Sequence, residues 1–101
     1  MFDISKVDQI PVALTRVVPV YPASLRKAKV EGTVIAGFVL DELGKVGDLQ
    51  VVSSTDHGFE QATLDALGQW TFSPGLKDGR PVKVRMSVPI VFSLNGEKPG
   101  N

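Results

Sequence analysis

The chain has no cysteine and only one histidine, one tryptophan and one tyrosine among its 101 residues. Without cysteine there is no disulfide and no thiolate chemistry, although periplasmic and cytoplasmic proteins both manage without it. The lone histidine, His57, would need two or three suitable companions to hold a metal. Ser53, Ser54, Ser87 and Ser93 have no other histidine to act as base, and no Gly-x-Ser-x-Gly turn occurs. "DELG" and "GLKDG" are not phosphate loops, since neither sits in a Gly-rich strand-to-helix turn. With no constellation for catalysis, the chain is not expected to be an enzyme or to carry a cofactor. An excess of charge is also lacking. Lys plus Arg and Asp plus Glu are 11 each, whereas a generic nucleic-acid binder shows a basic surplus. No run of about 18 apolar residues marks a membrane span. "MFDISKVDQIP" lacks the cationic start and apolar stretch of a signal peptide. Met1 reads as either a natural or an introduced start.

What is present suits one domain with one core, as 43% of the residues are apolar. Residues 1–16 form an extended lead-in, with one short strand expected in "VALTRVV". Pro11, Pro19 and Pro22 fix φ and hold their preceding residues extended. Pro22 suits the first turn of a helix through "PASLRKAKV", and Gly32 is its expected stop. "TVIAGFVLD" is apolar on both faces, which predicts a central strand. The "DELGK" turn leads into "VGDLQVVSS", whose broken alternation predicts a bulge near Gly47. Gly32 and Gly44 are both expected at positive φ. Asp56 can cap a second helix, on which Phe59, Ala62, Thr63, Ala66, Leu67 and Trp70 form an amphipathic stripe. "SPGLKDGRP" is turn-rich. "VKVRMSVPIVFSL" then alternates strictly: Val82, Val84, Met86, Val88, Ile90, Phe92 and Leu94 face one way, Lys83, Arg85, Ser87, Pro89, Val91 and Ser93 the other. Trp70, Phe72 and Phe38 are expected in one cluster. The tail, residues 95–101, is polar and expected to be flexible.

The order arm–α–β–β–α–β predicts an α+β fold with two helices on one face of a three-stranded antiparallel or mixed sheet, the last strand beside the first. That last strand would be an edge. Lys83 and Arg85 read first as a solvated face that keeps it soluble. An edge also offers unpaired N–H and C=O groups that an extended peptide can complete. If Pro89 is tolerated because its missing N–H faces outward, then Arg85, Ser87, Val91 and Ser93 aim their backbone groups the same way. The outward apolar residues Ile35 and Val39 need a cover, and the N-terminal arm or a second copy of the domain, as a homodimer, are the candidates.

"VVPVYPASLRKAKVEGTV", "LDELGKV" and "FEQATLDALGQWTFSPGLKDGRPVKVRMSVPIVF" together resemble the C-terminal domain of TonB-type energy transducers over residues 17–94. The most specific parts are Tyr21-Pro22, Glu31-Gly32, the Gly44 turn, Trp70-x-Phe72-x-Pro74-Gly75 and Val88-Pro89-Ile90-x-Phe92. Val17-Val18-Pro19-Val20 stands where founding members carry a Gln-Pro arrangement. The resemblance implies a periplasmic domain anchored to the inner membrane through a missing upstream helix and Pro-rich linker. It implies binding of the extended N-terminal segment of an outer-membrane TonB-dependent transporter, by strand addition at the last strand, and transmission of work from a proton-driven inner-membrane motor. The partner-binding residues it implies are Val18, Pro19, Val20, Tyr21 and Pro22 on the arm with Arg85, Ser87, Val91 and Ser93 on the strand. The alternative is a stand-alone strand-addition adaptor, for signalling or secretion, without energy transduction.

Overall fold

Alternate residues of one nine-residue strand, Val34, Ala36, Phe38 and Leu40, are all buried, and that strand is the spine of the molecule. The computed structural model describes residues 1–94; the tail at 95–101 lies outside the described residues. In chain order the elements are β1 (Phe2–Asp3), β2 (Ala13–Thr15), α1 (Ala23–Lys27), β3 (Gly32–Leu40), β4 (Val46–Ser54), α2 (Glu60–Leu67), β5 (Thr71–Phe72), β6 (Gly75–Lys77), β7 (Arg80–Val82) and β8 (Val84–Phe92), with 3-10 turns at Ile4–Lys6 and His57–Phe59. The main sheet runs β1-β8-β3-β4. β3 is antiparallel to both long neighbours, while β1 lies parallel to β8. The three long strands thus take their expected order, β3 is central as its two apolar faces require, and the lead-in adds a short fourth strand that makes the sheet mixed. No helix among the described residues is long and apolar enough to cross a membrane.

Two aromatic clusters fill the space between sheet and helices. Val34, Phe59 and Phe92 form one, with Tyr21, Leu25 and Ala62 against it. Phe59 and Phe92 stack at 4.4 Å. Leu25 from α1 and Ala62 from α2 meet the same cluster, so both helices cover one sheet face. Phe38, Leu40 and Phe72 form the second cluster, with Trp70 packed beside it, as the spacing predicts. The α2 stripe buries Phe59, Thr63, Ala66 and Leu67. Asp56 caps this segment by accepting from the Gly58 N–H at 2.8 Å. The β4 bulge falls at Asp48, one residue past Gly47: Gly37 faces Gln50 and Val39 faces Gly47, and Asp48 takes φ 49°.

The two glycine expectations divide. Gly44 has φ 82°, but Gly32 is not among the positive-φ residues. Gly32 begins β3 instead, where an added Cβ would lie 2.4 Å from Thr55 Oγ1 and 2.9 Å from the Phe59 ring. Crowding, not backbone conformation, demands glycine there. The helix α1 is ended earlier by Lys29 at φ 58°. The Val30 N–H bonds the Leu25 carbonyl and the Lys29 N–H bonds that of Arg26, a Schellman pattern with lysine in the place glycine usually takes.

The stretch read as turn-rich is a hairpin, β6 paired antiparallel with β7. Asp78 and Gly79, at φ 53° and 77°, make its two-residue turn, which suits the twist of paired strands. The lead-in is tied down as well. β2 pairs with β5, and Gln9 and Leu76 exchange backbone bonds at 3.2 and 3.1 Å. In the β3–β4 turn, Asp41 Oδ1 accepts from the Leu43 and Lys45 N–H groups, both at 2.9 Å. The Lys45 bond above all holds the Asp41 carboxyl below its ordinary pKa.

Candidate strand-docking edge

The direction of the β8 backbone follows from one bond. The Phe2 N–H donates to the Lys83 carbonyl at 2.9 Å, so Lys83 presents its backbone to the side of β1. N–H and C=O of a strand residue point to the same neighbour, and the direction alternates along the chain. The pairing of β8 with β3 runs without a register shift from Leu40–Val84 to Gly32–Phe92. Ser87, Pro89 and Val91 therefore share the outward parity of Lys83 and Arg85. Pro89 lies opposite Ile35 and costs the sheet no ladder bond, because its missing N–H would have pointed away. Side chains follow the same alternation, with Arg85, Ser87, Pro89 and Val91 exposed and Val84 and Phe92 buried.

β1 fills part of this edge. Phe2 lies opposite Val84 and Asp3 opposite Arg85. At Arg85 the edge expected to be open is thus occupied, because the lead-in folds back as a strand too short to show a sequence period. From Ser87 onward no strand of the described residues lies beside it. At its far end Glu31 clamps the strand: its Oε2 accepts from the Leu94 N–H at 2.7 Å and the Ser93 hydroxyl at 3.2 Å. Glu31 stands out in the sequence only as part of Glu31-Gly32. Its reach to residues 62 and 63 positions away leaves no local signal.

The arm residues take separate places. Tyr21 is a packing residue: its ring meets Phe59 and Phe92 edge-on at 5.5 and 5.6 Å, and its hydroxyl donates to the Val30 carbonyl. Pro22 sits at the N-cap of α1 with φ −60°. Pro19 is half-buried. Val18 and Val20 are 83% and 78% exposed and line a shallow groove with Ala62 and Ala66 of α2 and Gln69 just past its end. Trp70 holds the arm by donating from Nε1 to the Val17 carbonyl at 2.9 Å, with the Arg16 guanidinium 5.7 Å over its ring. The structure therefore brings Tyr21 to the end of β8 and puts Val18 and Val20 against the helix layer. His57 is exposed, its Nδ1 2.7 Å from Glu60 Oε2. The Ser54 hydroxyl donates to that same oxygen; this bond first, and His57 second, lowers the Glu60 pKa.

On the outer sheet face a hollow is lined by Ile4, Ser5, Val39, Asp48, Arg85 and Ser87. Ile4 follows β1, so the lead-in supplies one wall over Val39. Ile35 remains 37% exposed.

This arrangement of strands and helices is shared with solved structures. The solution NMR structure of the Pseudomonas aeruginosa TonB CTD superposes with a TM-score of 0.70 at 26% identity, covering 97% of this chain and 96% of that one. The structure of the TonB2 protein from Vibrio anguillarum gives a TM-score of 0.62 at 35% identity, covering 79% and 77%. Among curated relatives, Protein TonB of Vibrio cholerae is 40% identical over 91 residues, which is 89% of this chain and 37% of that protein. Protein TonB of Escherichia coli K12 is 33% identical over 87 residues, 85% of this chain and 34% of that protein. The chain spans about a third of the length of these curated relatives. The model of the Gram-negative bacterial TonB protein C-terminal family matches residues 17–94, and the chain belongs to that family, whose members are not enzymes.

Proposed function

We propose that this chain is the periplasmic docking domain of a TonB-type energy transducer. It captures the extended N-terminal segment of an outer-membrane TonB-dependent transporter as an added strand, and it passes on work from a proton-driven inner-membrane motor reached through an upstream membrane anchor. The observation that carries the docking mode is the outward-facing backbone of β8 from Ser87 onward, which has no strand beside it among the described residues. Such an edge gives affinity through main-chain bonds, while side chains at its rim adjust it. Tyr21, packed on Phe92, fixes the arm at one end of this edge. Val18, Pro19 and Val20 then border the route that a bound segment takes past α2.

The test is calorimetric titration of a transporter N-terminal peptide into the wild type and into Ser87→Pro and Val91→Pro. Each proline removes one outward N–H and leaves the β3 side intact. Each folded variant is expected to lose about tenfold in affinity, the worth of one to two backbone bonds. Lys83→Ala should change affinity only slightly, since it acts at the rim. Unchanged affinity in both proline variants would sink strand addition and move the partner to the arm.

A further inference from the structure

The free part of the β8 edge stops where β1 begins, and β1 is held by little. Only Phe2 and Asp3 pair with β8. The 3-10 turn that follows, Ile4–Lys6, buries no residue and has no side-chain cap. Firm attachment starts further on. The Asp8 N–H bonds the Leu76 carbonyl at 2.7 Å, Asp8 Oδ2 accepts from the Asp78 N–H at 2.7 Å, and Pro11 is buried. The lead-in thus divides into a weakly held segment, residues 1–7, and an anchored one from Asp8.

We infer that residues 1–7 are a tethered competitor for the docking edge. This rests on the strand-addition reading above. A partner strand longer than the Ser87–Ser93 stretch must take the outward groups of Arg85 and Lys83, and the Lys83 carbonyl already accepts from Phe2. Both strands cannot hold it. Because the competitor is joined to Asp8 by a few residues, its local concentration is high and independent of dilution. It also shields part of an exposed edge in the unbound domain, which lowers the risk of edge-to-edge association. Its short pairing and a turn with no fully buried residue favour local opening there. The partner's length then sets how much of the competitor's stability it must overcome. A short segment docks beside β1; a long one evicts it.

The experiment titrates a transporter N-terminal peptide into the wild type, a variant lacking residues 2–7, and Phe2→Pro, which keeps the chain length but removes the N–H that bonds Lys83. The same peptide is also used trimmed at the end that lies beside Ser87. Trp70 fluorescence checks folding. Removal of the competitor should tighten the full peptide by about tenfold, the worth of one to two backbone bonds, and leave the trimmed peptide unchanged. In the wild type the Phe2 amide should lose its exchange protection when the full peptide binds. Equal or weaker binding of the full peptide by both variants would overturn the competitor while leaving strand addition standing. Binding that fails for every protein would overturn strand addition itself, and the competitor with it.

Discussion

Gly44 and Gly79 take nearly the same positive φ in two different surroundings, which lets one energy be separated from another. Both have positive φ, 82° and 77°. A Cβ on Gly79 would meet nothing within 4 Å, whereas on Gly44 it would lie 1.8 Å from the Phe72 carbonyl oxygen and 2.8 Å from its carbon. Gly79→Ala should cost only the left-handed strain, about 1 kcal/mol. Gly44→Ala adds a clash with main chain that no rotamer relieves. The turn must retreat from β5, which breaks the Phe72 N–H bond to the Gly44 carbonyl at 3.0 Å, the bond that makes the Lys45–Thr71 bridge. That loss is about 1 kcal/mol, and the Phe38–Leu40–Phe72 cluster loosens as well. The expected total is about 2–3 kcal/mol, a large share of a domain stability on the order of 5–15 kcal/mol. Alanine also narrows the unfolded ensemble, but equally at both sites, so that effect cancels in the difference. Urea unfolding with an unchanged slope measures it. A difference under about 1 kcal/mol would refute the close approach of the turn to β5.

Lys29→Gly should stabilise by about 0.5–1 kcal/mol, because Lys29 holds a conformation glycine adopts freely; a lower denaturation midpoint would contradict this. Trp70→Phe should cost about 1 kcal/mol for the lost bond to Val17, and Trp70→Ala about 2–3 kcal/mol, less than a fully buried aromatic because Trp70 is only half-buried. A loss of about 4 kcal/mol or more, the full core value, would mean the ring is better packed than its half-burial allows. The lowered pKa values of Asp41 and Glu60 stabilise the fold above the ordinary carboxylate range, and this contribution is lost as pH falls through the lower, folded-state values. Asp41→Asn and Glu60→Gln should each flatten the acid limb of stability against pH, and an unaltered limb would rule the carboxylate out as a source.

The long elements were legible because their residues repeat a period. β3, β8 and α2 each carry one over enough positions to show which face is buried, whereas Trp70 lies beyond the end of α2 and Phe72 in β5, so their place beside Phe38 comes from the close of the helix and not from a period. β1 and β5 have two residues each, too few for any period, and they form only because a longer strand or a loop lies within reach. The β6–β7 hairpin was signalled by Asp78-Gly79, a strong two-residue turn, but its short flanking strands hid the pairing. Lys29 was unreadable because its positive φ is imposed by the carbonyls of Leu25 and Arg26, not by its own side chain. For the docking edge, the proline parity argument located the outward residues. It could not see that the first of them, Arg85, lies opposite Asp3, since that pairing joins opposite ends of the chain.

The place of β3 between a near neighbour and a distant one shapes how the chain can fold. β4 follows β3 after a tight turn, whereas Gly32 finds Phe92 only after the whole intervening chain has been made. Pairings of such separation slow folding, because the closure entropy is lost before the contacts form. During synthesis the β3–β4 hairpin and α2 emerge before β8, and one side of the most apolar strand stays open until β8 has left the ribosome. A chain cut short before Val84 would keep that side open permanently. Such a fragment is expected to collect in aggregates rather than persist as a smaller folded unit.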